Sequence, residues 1–255
     1  MTDVTAAAGV EVTLFGRRVQ LFDLAQEVSQ KTQMHPLHPR VEVYPYESHA
    51  NSRESMGTGF SYEAKLLIMS DHASTHVDGF IHFDPSPDAA TIDQMPLNLF
   101  CGDAICLDLS HLAPRSGITV EDLQQALAKD DLEIREGDIV LLYTGHYERT
   151  GGTPEYLTEF PGLEPDSARW LIEQKVKTFG NQAMSVDVPE RYDFPVHQVC
   201  REAGVTHIEN IGSLEPVAGK RFTVFGFPLK IVPGTGSPIR LVAAVEADAA
   251  TTPSP

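Results

Sequence analysis

The chain has 255 residues, a formal charge of −17 and 42% hydrophobic residues. Its length predicts one large domain over residues 1–255, with frayed ends at about 1–9 and 247–255. The excess of 36 acidic over 19 basic residues argues against nucleic acids and anionic membranes as partners, because both attract positive surfaces. We therefore expect the partner to be a small-molecule substrate.

The cellular compartment follows from what the sequence lacks. No apolar run approaches the roughly 18 residues of a membrane helix, and the first twelve residues have no basic region typical of a secretory signal. The three cysteines form no Cys-x-x-Cys pair and are expected to be reduced structural thiols. We expect a soluble, cytoplasmic protein.

Apolar and β-branched runs bounded by Gly, Pro, Asn or Asp predict eight strands. In chain order they cover residues 41–46, 64–69, 104–109, 138–143, 183–188, 205–211, 222–231 and 239–245. Helical spacing and helix-start residues predict three helices, over residues 119–129, 165–175 and 195–203. The continuous apolar run 139–142 is typical of a strand buried on both faces. Strands outnumber helices without strict alternation, which favours a mixed, β-rich α/β domain over a regular doubly wound sheet.

Three histidines and an aspartate lie close together with the spacing His-x3-His-x-Asp-x3-His: His72, His76, Asp78 and His82. In an extended segment His76 and Asp78 project to one face, and the small residues 73–75 would let His72 join them. Imidazoles and a carboxylate are good ligands for zinc, manganese or iron, and three protein ligands leave a position open for water. We expect His82 to be a general acid and base or a fourth ligand.

A second group of candidates lies downstream. His197 follows Pro195 at the start of the third predicted helix, and alternation places His207 and Glu209 on one face of the next strand. A glutamate flanked by isoleucines needs a partner, because an unpaired buried charge is costly, and a cation would satisfy it. Four other histidines are expected to be solvated or hydrogen-bonded loop side chains: His35, His38, His49 and His111.

The segment 72–82 resembles the signature of the metal-dependent cyclase-like hydrolases, the family of bacterial kynurenine formamidase and isatin hydrolase. That motif runs His-x-Gly-Thr-His-x-Asp-x-Pro-x-His, and the chain has its first His, the Thr, the second His, the Asp and the last His in register. Further similar segments are 137–141, 195–197 followed by 209–211, 228–230 and 234–240. The resemblance spans roughly residues 22–245.

The resemblance implies a swivelling β/β/α-like fold and a first metal held by His72, His76 and Asp78. Asp78 would bridge to a second metal held by His197 and Glu209. Some relatives use a single metal, so the expected content is one or two divalent ions per chain, zinc or manganese. The resemblance also implies a homodimer or homotetramer.

The expected function is hydrolysis of a C–N or C–O bond in a small amide, lactam, lactone or ester. Metal-bound water would be acidified, and the hydroxide formed would attack the carbonyl carbon. His82 would carry the proton to the leaving group as the acid/base residue, and Glu209 could share this role.

The chain departs from the motif at three positions. Ser74 stands where the family has glycine, Gly79 where alanine is common, and Phe80 where the family has proline. Without the proline the backbone here loses a fixed φ. The Phe80 side chain is expected to place a bulky ring beside Asp78 and His82. The ligands are retained, whereas the pocket wall is expected to differ from that of kynurenine formamidase.

Two other classes of function stay open. A non-haem iron oxygenase would use His76 and Asp78 with His197 or His207, and would leave the other candidates unused. A non-enzymatic metal-binding protein would close the coordination sphere with His82 as fourth ligand. Oxygen dependence separates the first class from a hydrolase, and an exchangeable metal-bound water separates the second.

Two loops carry weaker expectations. The polar segment 45–60 precedes the metal motif and could cover the site or reach a neighbouring subunit. The loop 234–236 is glycine-rich, but it lacks the lysine and the following helix of a phosphate-binding loop. We expect a plain turn there.

Overall fold

The computed structural model describes residues 9–247, and a ten-stranded mixed sheet runs through them. From edge to edge its strands are β1 (Val10–Leu14), β2 (Arg17–Asp23), β14 (Val242–Glu246), β12 (Arg221–Phe225), β6 (Cys101–Asp108), β8 (Ile139–Tyr143), β10 (Thr178–Asn181), β11 (Thr206–Glu209), β5 (His76–Asp78) and β13 (Gly236–Pro238). The central strands β6, β8, β10 and β11 are parallel to one another. The predicted mixed, β-rich α/β fold is confirmed.

Shorter elements surround this sheet. Two strand pairs lie outside it: β3 (Glu42–Glu47) with β4 (Ala64–Ile68), and β7 (Gly117–Ile118) with β9 (Gly162–Leu163). The α-helices are α1 (His49–Met56), α2 (Phe80–Phe83), α3 (Val120–Lys129), α4 (His146–Thr150), α5 (Pro165–Glu173) and α6 (Pro195–Ala203). Short 3-10 helices cover Ile92–Gln94, Leu97–Leu99, Pro154–Leu157 and Glu215–Val217.

Strand β8 is buried on both faces, as its apolar run predicts. Ile139 and Leu141 pack into the hydrophobic core on one face of the sheet. Val140 and Leu142 pack into a second core, which includes residues of α3, α5 and α6. Successive strand side chains point to opposite faces, so each core receives every second residue.

The three predicted helices are α3, α5 and α6, and their ends follow local signals. The Thr119 hydroxyl accepts the N–H of Asp122, while the Asp122 carboxylate accepts the N–H of Thr119, which starts α3. Pro165 and Pro195 occupy first-turn positions, where a missing N–H costs nothing. Gly204 ends α6 with a left-handed φ of +64°.

The predicted strand over 183–188 is wrong. The regular strand is β10, just upstream, and the chain then turns because the Asn181 side chain accepts the Ala183 N–H at 3.2 Å and donates to the Ser185 carbonyl at 2.8 Å. Asp187 retains only an isolated bridge to Leu163. The turn brings this segment alongside β11.

Several other predicted strands and loops differ from those in the structure. The strand predicted over 222–231 ends at Phe225, and the loop predicted as a plain turn at 234–236 leads directly into β13. The sequence did not predict the strands β1, β2 and β5 or the helices α1, α2 and α4. The frayed ends expected at about 1–9 and 247–255 lie outside the described residues, apart from Gly9 and Ala247. The assignment of the chain to one domain stays a prediction.

Two further observations concern the helices and the cysteines. Within residues 9–247 no helix is long and apolar enough to span a bilayer. Cys101, Cys106 and Cys200 are free thiols, as the sequence predicts.

Arg221 provides a test of how the centre of the sheet is stabilised. Its guanidinium donates to both oxygens of Asp138 at 2.9 and 3.0 Å, and Asp138 is only 2% exposed. In Arg221→Met the buried carboxylate loses its cation, so we expect the free energy of unfolding to fall by about 3 kcal/mol in urea denaturation. Arg17→Met is the control, because it removes the exposed bridge to Glu246 and should change little. Equal losses in the two variants would contradict this account.

Candidate metal centre

Strand β5 positions the first two site residues. It lies between β11 and β13, with His76 opposite Glu209 and Asp78 opposite Gly236. Alternation turns Val77 into the core and places the side chains of His76 and Asp78 on the other face, where they are 3% and 1% exposed. The pairing therefore brings the two predicted motifs together from distant parts of the chain.

One carboxylate oxygen of Asp78 faces two imidazoles. Its Oδ1 lies 2.8 Å from Nδ1 of His72 and 3.4 Å from Nε2 of His76. The Thr235 hydroxyl donates to Asp71 at 2.7 Å, so at 2.9 Å it accepts from Nε2 of His72. Both ring nitrogens of His72 therefore have a polar partner, which fixes the orientation of the ring beside Asp78.

The other carboxylate oxygen of Asp78 faces a different set. Its Oδ2 lies 3.1 Å from Nε2 of His207, 3.8 Å from Nε2 of His82 and 4.0 Å from Nε2 of His197. Oδ2 is buried, yet no hydrogen-bond partner for it exists among residues 9–247. Nitrogen donors are therefore grouped around each oxygen of the Asp78 carboxylate.

Glu209 closes the cluster from β11. Its Oε1 lies 3.4 Å from Nε2 of His207 and 3.6 Å from Nε2 of His197, and it accepts the Val186 N–H at 3.1 Å. Its Oε2 lies 3.6 Å from Nε2 of His76. Burial acts to raise the pKa of Glu209, but the His207 imidazole beside it outweighs this effect and holds the pKa below its ordinary value. Glu209 is therefore a carboxylate at neutral pH.

His197 lies on helix α6, and Asp187 holds the His197 ring in place. The Asp187 carboxylate lies 2.6 Å from Nδ1 of His197 and accepts the N–H of Val196 at 2.7 Å. A carboxylate on one ring nitrogen sets the tautomer and presents the other nitrogen to a metal. The sequence analysis missed Asp187, because its segment reads as a regular strand. The Asp–Val–Pro stretch before the helix-starting Pro195 was the available signal.

Helix α2 holds His82 one turn beyond Asp78. The His82 side chain is 32% exposed, which makes it the most accessible imidazole around Asp78, and its ring centroid lies 3.9 Å from that of His72. Desolvation by the surrounding protein lowers the pKa of His82 to about 4, with Asp78 partly opposing the shift. His82 is therefore neutral at pH 7 and able to accept a proton.

The backbone around the motif explains two of the three departures. Ser74 has a left-handed φ of +58°, a region that favours glycine. Its hydroxyl donates to the Gln26 carbonyl at 3.0 Å, and its own carbonyl accepts from Nδ1 of His76 at 2.9 Å. At Gly79 a Cβ atom would lie 2.8 Å from the carbonyl oxygen of Thr235, so the close approach of β13 requires glycine.

Phe80 does not shape the pocket wall, and that expectation is wrong. Its ring packs against the core beneath the sheet and contacts Phe83 edge-on at 6.3 Å. The position is the first of α2, where proline is favoured for its φ, and the helix forms here without one.

Two histidines expected to be loop side chains lie at the site. His35 and His38 line the same cavity of about 100 Å³ as the metal motif. Nδ1 of His38 contacts the Ser70 hydroxyl at 2.8 Å, and its ring lies 5.5 Å from that of His72. The sequence carried no periodic signal for this approach. His49 and His111 are exposed, as predicted.

The donor atoms fit a divalent metal. Two groups of three donors have all their ligand atoms within 4.8 Å of one another: His72, Asp78 and His82, and Asp78, His197 and His207. Nitrogen and carboxylate donors of this kind suit zinc, manganese or iron. All five predicted ligands lie in one cluster, and His207 joins them. The individual roles assigned to these residues stay predictions.

A cluster of histidines and carboxylates near one edge of a mixed sheet is typical of a metal-dependent enzyme. Comparison with known proteins gives the family. Residues 22–188 match the family described as "Putative cyclase". The chain belongs to this Cyclase family, which confirms the resemblance seen in the metal motif.

Relatives and solved structures agree with this assignment. Kynurenine formamidase from Salinibacter ruber is 29% identical over 226 residues, covering 87% of this chain and 96% of the relative. Isatin hydrolase from Roseibium aggregatum is 23% identical, covering 96% and 99%. Isatin hydrolase A from Labrenzia aggregata, bound to benzyl benzoate, superposes with a TM-score of 0.78 at 23% identity, covering 90% and 94%. The predicted fold is confirmed, and these relatives bear out the prediction of a hydrolase enzyme.

Substitution of Asp187 tests whether its carboxylate orients the His197 ring for metal binding. In Asp187→Asn the carboxylate on Nδ1 of His197 is lost, and we expect metal affinity to fall about 10–100-fold in a competition titration with a chromophoric chelator. Asp193→Asn is the control, since that exposed carboxylate pairs with Arg191 at the surface. Unchanged affinity in Asp187→Asn would contradict the role of Asp187 in orienting His197 for metal binding.

Proposed function

We propose that the chain hydrolyses a C–N or C–O bond of a small amide, lactam, lactone or ester. The observation that carries the proposal is the Asp78 carboxylate, which has imidazole nitrogens near both of its oxygens and lies buried beside a cavity lined by His72, His76 and His82. The relatives named kynurenine formamidase and isatin hydrolase favour the C–N bond of an amide or lactam.

The proposed cofactor is zinc or manganese, with one or two ions per chain. His72, His76 and Asp78 would hold the first ion, and Asp78, His197 and Glu209 the second. A divalent ion bound there supplies an acidified water molecule and a Lewis acid for the carbonyl oxygen. The resident carboxylates suit this cofactor, because Asp78 and Glu209 are ionised and buried together.

His82 is the proposed acid and base. It lines the cavity, is uncharged at pH 7 and has Nε2 3.8 Å from Oδ2 of Asp78. It can take the proton of the attacking water and return it to the leaving nitrogen or oxygen. Glu209 is less free for this role, because its Oε1 already accepts the Val186 N–H.

A second cavity indicates what kind of substituent the substrate carries. Its volume is about 500 Å³, and it shares His35, Met184, Ser185 and Phe194 with the inner cavity. Much of its wall is apolar: Leu37, Leu157, Phe160, Val188 and Tyr192. Its arginines are already paired, Arg115 with Glu190 and Arg191 with Asp193. These features support an uncharged, apolar substituent beside the hydrolysed bond.

We also propose a homodimer or homotetramer that works in the cytoplasm. The strand pair β3–β4 lies outside the main sheet and exposes Tyr46, Leu66, Leu67 and Ile68, each about half exposed or more. Exposed apolar patches of this kind commonly mark subunit contacts. A monomeric mass in light scattering would contradict the oligomer.

The hydrolysis proposal is tested with matched pairs of amides, lactams, lactones and esters, with and without an apolar substituent. We expect turnover under argon by metal-loaded protein, loss of turnover after chelation, and a higher kcat/KM, roughly tenfold or more, for the substituted member of each pair. An absolute requirement for oxygen would point to an oxygenase instead. Absence of turnover across the set with metal bound would support a binding protein.

His82 has its own test. We expect His82→Ala to lower kcat about 10²–10⁴-fold while metal content, measured by elemental analysis, stays the same. His111→Ala removes an exposed histidine and should keep full activity. Full activity in His82→Ala would remove His82 from the reaction, and loss of metal would make it a ligand.

A further inference from the structure

His207 is the one imidazole of the cluster that is completely enclosed. It is 0% exposed, and within the described part of the chain neither ring nitrogen makes a hydrogen bond, because the angle at Nε2 is unfavourable even for Oδ2 of Asp78 at 3.1 Å. Phe83 and Phe179 are stacked near its ring, with centroid distances of 5.6 and 6.2 Å and interplanar angles of 21°. A buried polar side chain without partners is costly, so its fixed orientation calls for a ligand.

The direction of the ring identifies that ligand as a cation. Nε2 of His207 faces two carboxylate oxygens, Oδ2 of Asp78 at 3.1 Å and Oε1 of Glu209 at 3.4 Å. Nε2 of His197 approaches the same two oxygens at 4.0 and 3.6 Å. The ligand atoms of Asp78, His197 and His207 all lie within 4.8 Å of one another, and Oε1 of Glu209 lies beside both imidazoles.

The nitrogen–oxygen distances of this donor set are close to those around a tetrahedral ion. Zinc ligands lie at about 2.0–2.1 Å, so neighbouring donors around a tetrahedral ion are about 3.3–3.5 Å apart. The four nitrogen–oxygen distances run from 3.1 to 4.0 Å and bracket that value. Small movements of His197 would close the longer two.

We propose that His207 is a metal ligand and that, with His197, Asp78 and Glu209, it forms a closed position with four protein ligands. Closed positions are typical of structural ions, whereas catalytic positions keep a site for water. The ion beside His207 is then held tightly for structure, and the exchangeable position lies on the side of His72 and His76. The inference deepens the proposed function and rests on its metal dependence.

His207 could instead serve as a charge partner for the two carboxylates, and this role leads to a different experimental result. As a permanent cation it would balance the charges of Asp78 and Glu209 without any metal. Its removal would then destabilise the metal-free chain and leave metal uptake unchanged.

The test titrates the chelator-treated full chain with Zn²⁺ against a chromophoric chelator. The unaltered chain should take up two equivalents, one more tightly than the other. His207→Phe keeps an aromatic ring between Phe83 and Phe179, and His207→Ala removes the ring. Both should weaken the tight equivalent by more than about 100-fold, beyond the effect of a supporting residue. The other equivalent should stay.

His146→Phe is the matched control. His146 is also fully buried and stacks on an aromatic ring, that of Tyr156 at 5.0 Å, but it lies outside the metal cluster. This variant should keep both equivalents. It therefore separates the loss of a ligand from the loss of any buried imidazole.

A measurement on the unaltered chain holds even if the variants fail to fold. With one equivalent of Co²⁺ bound, NMR should show paramagnetically shifted ring N–H signals from two imidazoles. A single such signal, uptake of only one Zn²⁺, or full retention of both equivalents by the two variants would each overturn the proposal. Failure of the hydrolysis screen would not, because ion binding is measured without substrate.

Discussion

The site depends on the antiparallel pairing of the three-residue strand β5 between β11 and β13. This pairing buries Asp78 and sets it beside Glu209, and the Thr206 hydroxyl holds the Asp78 carbonyl at 2.6 Å. Two buried carboxylates repel each other and are costly to desolvate unless cations or imidazoles surround them. Burial acts to raise the pKa of Asp78, yet the imidazoles of His207 and its neighbours hold it well below its ordinary value. The fold thus keeps both carboxylates of the cluster ionised.

Backbone contacts around β5 leave little freedom near the ligands. At Gly236 a Cβ atom would lie 2.6 Å from Cε1 of His72, so only glycine lets β13 pass this ring. The Thr75 hydroxyl accepts the Gln26 N–H and donates to the carbonyl of Asn210, the residue after Glu209. The two metal motifs are therefore fastened to each other by the main chain as well as by their side chains. Substitutions here should alter the distances between the donors, and not only local stability.

The sequence predicted those strands and helices that are determined by residues within or next to them. The apolar run of β8, the capping box before α3 and the proline that starts α6 each determine their own element. The site was harder, because its members meet through tertiary contacts. Alternation placed His207 beside Glu209 but could not show that its ring is enclosed. Asp187 and His38 reach the cluster through irregular segments, where no period marks which side chains turn inward.

The cavity at the candidate metal site and the larger apolar cavity are built from different parts of the molecule. The inner cavity has a volume of about 100 Å³, and His76, His197 and Glu209 in its wall come from β5, α6 and β11. The cavity of about 500 Å³ is walled largely by loops around residues 35–37 and 184–194. Loops tolerate substitution better than the paired strands, because fewer backbone hydrogen bonds depend on them. Under the proposed function, changes in these loops would alter which substituent is accepted while the candidate metal ligands on the sheet stay in place.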